Sequence, residues 1–140
     1  MCMDRRIRLV HRKLTNKNLH ILDTLDEKCF PFDEKYNKIN SIWWIAYYNN
    51  IPVGFAGISI RRNKAFFCRA GILSKYRNLG IHQKLIEKRL KYCSKKNIRI
   101  IYTYCLKDNT VSINNLSKLG FVKYKTTRTW ITLWKIKKRR

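Results

Sequence analysis

The stretch AFFCRAGILSKYRNLGIHQKLIEKRLKYC, residues 65–93, decides the fold. Residues 65–73 are apolar enough for a long strand, and residues 82–96 repeat apolar side chains at helical spacing. RNLGIH, residues 77–82, joins the two. The first N–H groups of a helix have no intrahelical acceptor, and the helix dipole favours negative charge there. A glycine-containing loop that leads into a helix therefore predicts an anion-binding site.

The rest of the chain alternates strand and helix patterns. Asn16 or Asn18 is the expected N-cap of the first helix, Pro31 ends it, and Gly120 occupies the C-cap position of the last helix. The predicted helices are residues 16–30, 82–96 and 109–120. The predicted strands are residues 6–11, a hairpin over 41–61 that turns at NNIP, 65–73, 98–104, and a strand, turn and strand over 123–136. This order predicts an α/β (α+β) fold with a mixed sheet flanked by helices.

Length and composition fit a single domain over residues 1–140. Apolar residues make up 45% of the chain and aromatic residues 13%, which is enough to form a core. The sequence has no run of about eighteen apolar residues, and charges occupy its start, so we expect a soluble, cytoplasmic protein. The cysteines are scattered, without a Cys-x-x-Cys pair, which predicts reduced thiols and no metal site. They are Cys2, Cys29, Cys68, Cys93 and Cys105.

Positive charge is the strongest global feature of the sequence. The chain has 32 Lys and Arg against 8 Asp and Glu, a formal net charge of +24. Such a field attracts polyanions such as nucleic acid or phosphorylated cofactors. The abundance of Lys, Asn and Ile is also what an AT-rich coding sequence gives, so compositional drift is the second explanation. The terminal KIKKRR, residues 135–140, is either a solvated tail or a binding arm.

The order of elements, RNLGIH at the start of the central helix and DNTVSINNLSKLGF near the end together resemble the GNAT superfamily of N-acetyltransferases. CFPFD, WWIAYY, CRAGIL, SINNL and the late Trp130 and Trp134 resemble a group of short GNAT proteins from phage and bacterial genomes. The resemblance implies a mostly antiparallel sheet of six to seven strands with about four helices. A splayed pair of parallel strands would hold acetyl-CoA, and the enzyme would acetylate an amine.

The resemblance also implies which residues bind the cofactor. The loop would hold the CoA diphosphate, with charge from Arg77 and Lys75, while Lys84 would reach the adenosine end. His82 stands where most of the superfamily has Gly or Ala; its side chain would contact the phosphate region, narrow the site or point to solvent. Backbone groups at the end of the preceding strand would pair with pantetheine, and one N–H would stabilise the thioester oxyanion. The expected cofactor-binding residues are Gly71, Ile72, Leu73, Arg77, Asn78, Leu79, Gly80, Ile81, His82, Asn109 and Ser112.

Catalytic residues are less well marked by the sequence. Many GNAT enzymes carry a tyrosine acid four residues before the Gly-Phe glycine, and this chain has Leu116 there. Three residues are substitute candidates for the acid: Tyr104, Ser112 and Tyr102, which lies on the same strand face as Tyr104. Asp33, in the loop that lines the acceptor side of this fold, is the candidate base or amine anchor, with Glu34 beside it.

The acceptor and the partners stay open at this stage. An acetyltransferase would act on an amine of a small molecule, a peptide or an aminoacyl-tRNA. The alternative is a GNAT-like protein whose basic surface binds nucleic acid, either to modify it or without catalysis. A membrane partner is not expected, and both monomer and homodimer remain open. Because neighbouring strand residues point to opposite faces, at most one of Trp43 and Trp44 is expected to face the core.

Overall fold

The computed structural model describes residues 5–12 and 14–137. Its strands are β1 (Ile7–Arg12), β2 (Ile42–Tyr48), β3 (Ile51–Arg61), β4 (Lys64–Ile72), β5 (Ile100–Leu106), β6 (Val122–Thr126) and β7 (Trp130–Ile136). Its helices are α1 (Asn16–Cys29), α2 (Ile81–Lys95) and α3 (Thr110–Lys118), and a 3₁₀ turn over Ser74–Tyr76 precedes α2. Cys2 and the last three residues of the basic C-terminal run lie outside the described residues.

The strands form one seven-stranded sheet in the order β1-β2-β3-β4-β5-β7-β6. Every neighbouring pair is antiparallel except β4 and β5, which run parallel. This parallel pair keeps register only from Lys64 opposite Ile100 to Phe66 opposite Tyr102. The Thr103 hydroxyl then donates to the Phe67 carbonyl at 2.8 Å, and no later register pair follows. The predicted mixed sheet with a splayed parallel pair is therefore confirmed.

The ends of the helices differ in detail from the sequence prediction. The described residues contain three α-helices where about four were expected, because the chain between α1 and β2 forms a loop. Thr15, not Asn16 or Asn18, is the N-cap of α1, and its hydroxyl accepts from the Asn18 N–H at 3.2 Å. Leu119 is the C-cap of α3, and Gly120 follows it at φ +96°, a conformation that glycine adopts without strain.

A core lies on each face of the sheet. Helices α2 and α3 cover one face, and Trp44 packs into that core. Helix α1 covers β2 to β4 on the other face, where Trp43 packs against Leu22 and Phe55. Trp43 is 0% exposed and Trp44 is 4% exposed. The expectation that at most one of them faces the core is therefore wrong, because alternation buries both when both faces are covered.

A β-bulge interrupts β4 at its centre. Ile58 opposes Phe67 and Ala56 opposes Ala70, so β4 carries one residue more than β3 between these pairs. Cys68 packs in the core on the α1 side, and the next residue, Arg69, also reaches α1 through an ion pair with Asp26. Two successive residues of β4 thus lie on the α1 face, and the bulge adjoins the point where the strands separate.

Candidate active site

A cavity of about 580 Å³ opens where β4 and β5 separate. Four segments line it: the end of α1, the end of β4, residues 76–83 and the beginning of α3. Among the described residues that line this cavity there is no carboxylate. The cavity lining therefore suits an anionic ligand that contacts the end of β4, the start of α2 and the start of α3.

The loop before α2 forms the anion-binding end of this cavity. Gly80 is the N-cap of α2 with φ +81°, and it offers no side chain to cap the helix. A Cβ at Gly80 would meet nothing within 4 Å, so the backbone faces open space. The Lys84 N–H is the first to bond within the helix, to the Gly80 carbonyl at 3.1 Å. The N–H groups of residues 81–83 are thus left for an anion.

Of the charged residues predicted to contact the diphosphate around this loop, only some line the cavity. Arg77 lines the cavity, and its Nε donates to the Ile72 carbonyl at 3.1 Å, which ties the loop to the end of β4. Asn78, Gly80 and Ile81 also line the cavity. Leu79 is 42% exposed and is not part of the lining. Lys75 and Lys84 are not part of it either, and Lys84 pairs with Glu87 at 3.4 Å.

His82 packs between α2 and α3. Its Nδ1 lies 3.1 Å from Nδ2 of Asn115, and both residues line the cavity. Burial, aided by the positive charge of Arg89, lowers the pKa of His82 from 6.5 to about 4. The imidazole is therefore neutral at physiological pH, and with the Asn115 amide as donor its proton lies on Nε2. The expectation that His82 points to solvent does not hold.

The end of β4 forms the middle of the cavity. Gly71 and Ile72 line it, as predicted for the pantetheine segment. Any side chain at Gly71 would collide with α1, since a Cβ there would lie 2.9 Å from Cβ of Cys29 and 3.0 Å from the ring of Phe30. Leu73 differs from its prediction, because its N–H donates to the Val53 carbonyl at 2.9 Å. That N–H is not available to a ligand.

Asn109 and Ser112 combine a capping role with a place in the cavity wall. The Asn109 carboxamide oxygen accepts from the Ser112 N–H at 3.2 Å and caps α3. Both residues also line the cavity. The two explanations that the sequence left open, helix capping and ligand contact, are therefore compatible.

The structure separates the candidate acids. Leu116 is 5% exposed and belongs to the core under α2, so no proton donor occupies that position. Ser112 lines the cavity, whereas Tyr104 is 51% exposed and does not. The Tyr104 ring contacts Phe66 and Tyr102, with centroids 5.3 and 6.0 Å away. Tyr104 thus lies on the opposite sheet face from α2 and α3.

The loop between α1 and β2 carries Asp33 and Glu34, both exposed and outside the cavity lining. A buried ion cluster fastens this loop. Lys38 Nζ lies 2.8 Å from Asp26 Oδ2, and Arg69 Nη1 lies 2.9 Å from Asp26 Oδ1. Arg69 also donates to the Glu34 carbonyl at 3.1 Å. Burial tends to raise the pKa of Asp26, but the hydrogen bonds from Lys38 and Arg69 outweigh it and hold the pKa below 3.8.

Several of these residues escaped the sequence analysis. Asp26, Lys38 and Arg69 form the cluster that fastens the loop between α1 and β2, and nothing local distinguishes them from other charged residues. Asn115 lies inside the quoted SINNL stretch, and only the packing of α2 against α3 reveals its contact with His82. Cys29 and Phe30 line the cavity at the end of α1, and CFPFD is the sequence signal that marks them.

A splayed strand pair, a glycine-capped helix start and the cavity beside them form a binding site suited to a phosphorylated ligand. The Acetyltransferase (GNAT) family matches residues 14–121 of the chain. The protein therefore belongs to the GNAT family of acetyltransferases. N-alpha-acetyltransferase 50 of Danio rerio is 26% identical over 128 residues, covering 84% of this chain and 76% of that protein.

Solved structures agree with this assignment. Arabidopsis thaliana Naa50 in complex with the bisubstrate analogue CoA-Ac-MVNAL is 26% identical, with a TM-score of 0.81 over 93% of this chain and 98% of that one. PaiA N-acetyltransferase of Thermoplasma acidophilum, in complex with coenzyme A, has the same fold at 18% identity, with a TM-score of 0.76 over 93% of this chain and 99% of that one.

The chain is thus an N-acetyltransferase that uses acetyl-CoA. The open Gly80 cradle, the N–H groups at the start of α2 and Arg77 fit the diphosphate of that cosubstrate. Within residues 5–12 and 14–137, no three His, Cys, Asp or Glu side chains gather as a metal site. None of the helices described is both long and apolar enough to cross a membrane.

Proposed function

We propose that this protein acetylates the α-amine at the N-terminus of a peptide or protein. The observation that carries the proposal is the similarity, over 93% of the chain, to an enzyme solved with an analogue that joins CoA to the acetylated peptide MVNAL. The relative from Danio rerio is also named as an N-alpha-acetyltransferase. Among the acceptors that the sequence left open, a peptide amine has this direct support.

The electrostatics of the site favour an α-amine over a lysine side chain. A neutral amine is needed for attack, and the described residues that line the cavity include no carboxylate to remove a proton. The α-amino group has a pKa of about 7.7–8.0, whereas the lysine side chain has a pKa of about 10.4. An α-amine is therefore partly neutral without a strong base.

The reaction transfers one acetyl group from the sulfur of acetyl-CoA to the amine nitrogen and, in net, one proton from the amine to the sulfur. The amine nitrogen forms a bond to the acetyl carbon while the carbon–sulfur bond breaks, and the proton lost by the amine offsets the one gained by the sulfur. Acetyl-CoA supplies the activated thioester. Gly71 and Ile72 would place backbone groups along its pantetheine arm. Ser112, which lines the cavity, would donate to the sulfur, and Tyr104, which does not line it, would do so only through water. Asp33 lies outside the lining and would anchor the incoming amine.

A pair of peptides tests the proposal. The pentapeptide MVNAL with a free α-amine should release CoA from acetyl-CoA, and its mass should rise by one acetyl group. A matched peptide, with its α-amine formylated and a lysine in place of leucine, offers only an ε-amine and should give less than a tenth of that rate. Equal rates on the two peptides, or faster acetylation of a polyamine, would show that the acceptor is another amine.

A further inference from the structure

Among the described residues, no helix packs closely on the α1 side of β5, β7 and β6. Helix α1 packs on β3 and β4, and β5, β7 and β6 continue beyond it. On the opposite face of β5 and β7, Ile101, Cys105 and Leu133 are buried against α2 and α3. Strand alternation therefore turns the intervening residues outward. These are Tyr102, Tyr104 and Leu106 of β5 and Trp130, Thr132 and Trp134 of β7.

Aromatic rings dominate this outward face. Tyr102 lies opposite Trp134 in the sheet register, and Tyr124 of β6 stacks on Trp134 with ring centroids 3.9 Å apart. Phe66 of β4 stacks on Tyr102 at 5.2 Å. We call this set the aromatic platform: Phe66, Tyr102, Tyr104, Tyr124, Trp130 and Trp134. Three of its rings are half exposed, with Tyr104 at 51%, Tyr124 at 58% and Trp130 at 47%.

The charged residues within the strands that carry the aromatic platform are all basic. Strands β3 to β7 contain no Asp or Glu, and the acidic residues after position 34 are Glu87 and Asp108, neither of which lies in a strand. Lys125 opposes Thr132, and Lys64 lies two residues before Phe66, so both share the face of the platform. Arg61 lies opposite Lys64 in the sheet register, so its side chain is on the same face. The three half-exposed rings of the platform thus have basic side chains on the same face of the sheet.

We propose that the aromatic platform binds single-stranded nucleic acid. Unpaired bases stack on exposed aromatic rings of a sheet, and cations beside the rings hold the phosphates. A duplex hides its base faces, so it is not the expected ligand. Binding of acetyl-CoA alone does not require a net charge of +24, whereas the phosphates of a nucleic acid would be attracted by it. The N–H groups at the start of α2, which would hold the cosubstrate diphosphate, belong to the helix on the opposite face of the sheet, so binding at the platform does not require acetyl-CoA.

Binding is measured with a fluorescein-labelled 12-nucleotide oligouridine at physiological salt, by anisotropy and by quenching of tryptophan fluorescence. Trp130 and Trp134 belong to the platform, whereas Trp43 and Trp44 are buried, so stacking should quench part of the signal. We expect a micromolar dissociation constant that rises steeply with salt, and binding of a duplex of the same length about tenfold weaker.

Substitutions on β6 separate stacking from general attraction. Tyr124→Leu keeps an apolar side chain but removes the ring, and should lower affinity about tenfold, while Tyr124→Trp should preserve it. Lys125→Glu should weaken binding, and Lys88→Glu, the same charge change at an exposed site on α2, should have a much smaller effect. Unchanged melting curves and an unchanged thermal shift with acetyl-CoA show that each variant is folded.

Four results would overturn the proposal: wild-type affinity in Tyr124→Leu, equal effects of the two Lys→Glu changes, duplex binding as tight as single-strand binding, or no binding at about 100 µM oligonucleotide. Polyglutamate, and vesicles of phosphatidylcholine and phosphatidylglycerol in a 3:1 ratio, provide a further comparison. If either binds more tightly than oligouridine, with the same dependence on Tyr124, the platform serves an acidic chain or a lipid surface instead.

Discussion

Acidification should destabilise this protein through His82, well before its carboxylates are protonated. Burial and the neighbouring Arg89 lower the pKa of His82 to about 4 in the fold, against 6.5 in the unfolded chain. The side chain faces Asn115 of α3 and lies in the first turn of α2, where the helix dipole also opposes a positive charge. The unfolded state therefore binds more protons than the folded state between these two pKa values. Stability must fall as the pH falls through this window.

The size of the effect follows from the two pKa values. At pH 7 both states are nearly neutral at this residue, and the contribution is small. At pH 5 the unfolded chain is almost fully protonated while the folded chain is not, which costs about 2 kcal/mol of unfolding free energy. The loss approaches about 3 kcal/mol near pH 4. Asp26 and Asp23, whose pKa values lie below 3.8 in the fold, lose their contributions only at lower pH.

Urea unfolding at pH 7, 6 and 5 measures this loss. His82→Gln keeps a polar side chain that does not titrate, so its unfolding free energy should fall by about 2 kcal/mol less than that of the wild type between pH 7 and pH 5. His20→Gln, at an exposed position of α1, controls for the removal of one imidazole. If the wild type and His82→Gln lose stability in parallel over this range, His82 is not buried as the structure has it.

Further predictions concern the cavity, the acid and the loop. Gly80→Val strains a residue at φ +81° and covers the anion cradle, so it should abolish the thermal shift with acetyl-CoA while the protein still melts cooperatively. Tyr104→Phe should lower kcat and leave acetyl-CoA affinity unchanged, and an unaltered kcat would exclude it as the acid. Lys38→Met should lower the free energy of unfolding by about 3 kcal/mol and raise KM for the peptide more than for acetyl-CoA. Lys35→Met is the control: Lys35 is 71% exposed and pairs with Asp23, so its loss should cost under about 1 kcal/mol of unfolding free energy.

Features that depend on neighbouring residues could be predicted from the sequence. The loop RNLGIH, the helix that follows it and the cap at Asn109 each follow from residues a few positions apart. The absent proton donor at Leu116 follows from a single position. The elements that the structure shows agree closely with the predicted strands and helices for the same reason, because periodicity is a local signal.

Contacts between distant parts of the chain could not be predicted in this way. Arg69 and Asp26 are 43 positions apart, and His82 and Asn115 are 33 apart. No pattern in either segment specifies the partner. The burial of both Trp43 and Trp44 required knowing that the sheet is covered on two sides. The engagement of the Leu73 N–H by Val53 required the register of β3 against β4.

Because Arg69 is the extra residue of the bulge in β4, the sheet register does not depend on it. Deleting it would leave Cys68 opposite Gly57 and Ala70 opposite Ala56, so the residues on either side would keep their orientation and the ladder would become regular. Deleting Arg69 would keep the sheet register but remove its ion pair with Asp26 and its hydrogen bond to the Glu34 carbonyl, which fasten the loop between α1 and β2. The register of the sheet and the anchoring of the loop between α1 and β2 therefore depend on different residues of the same strand.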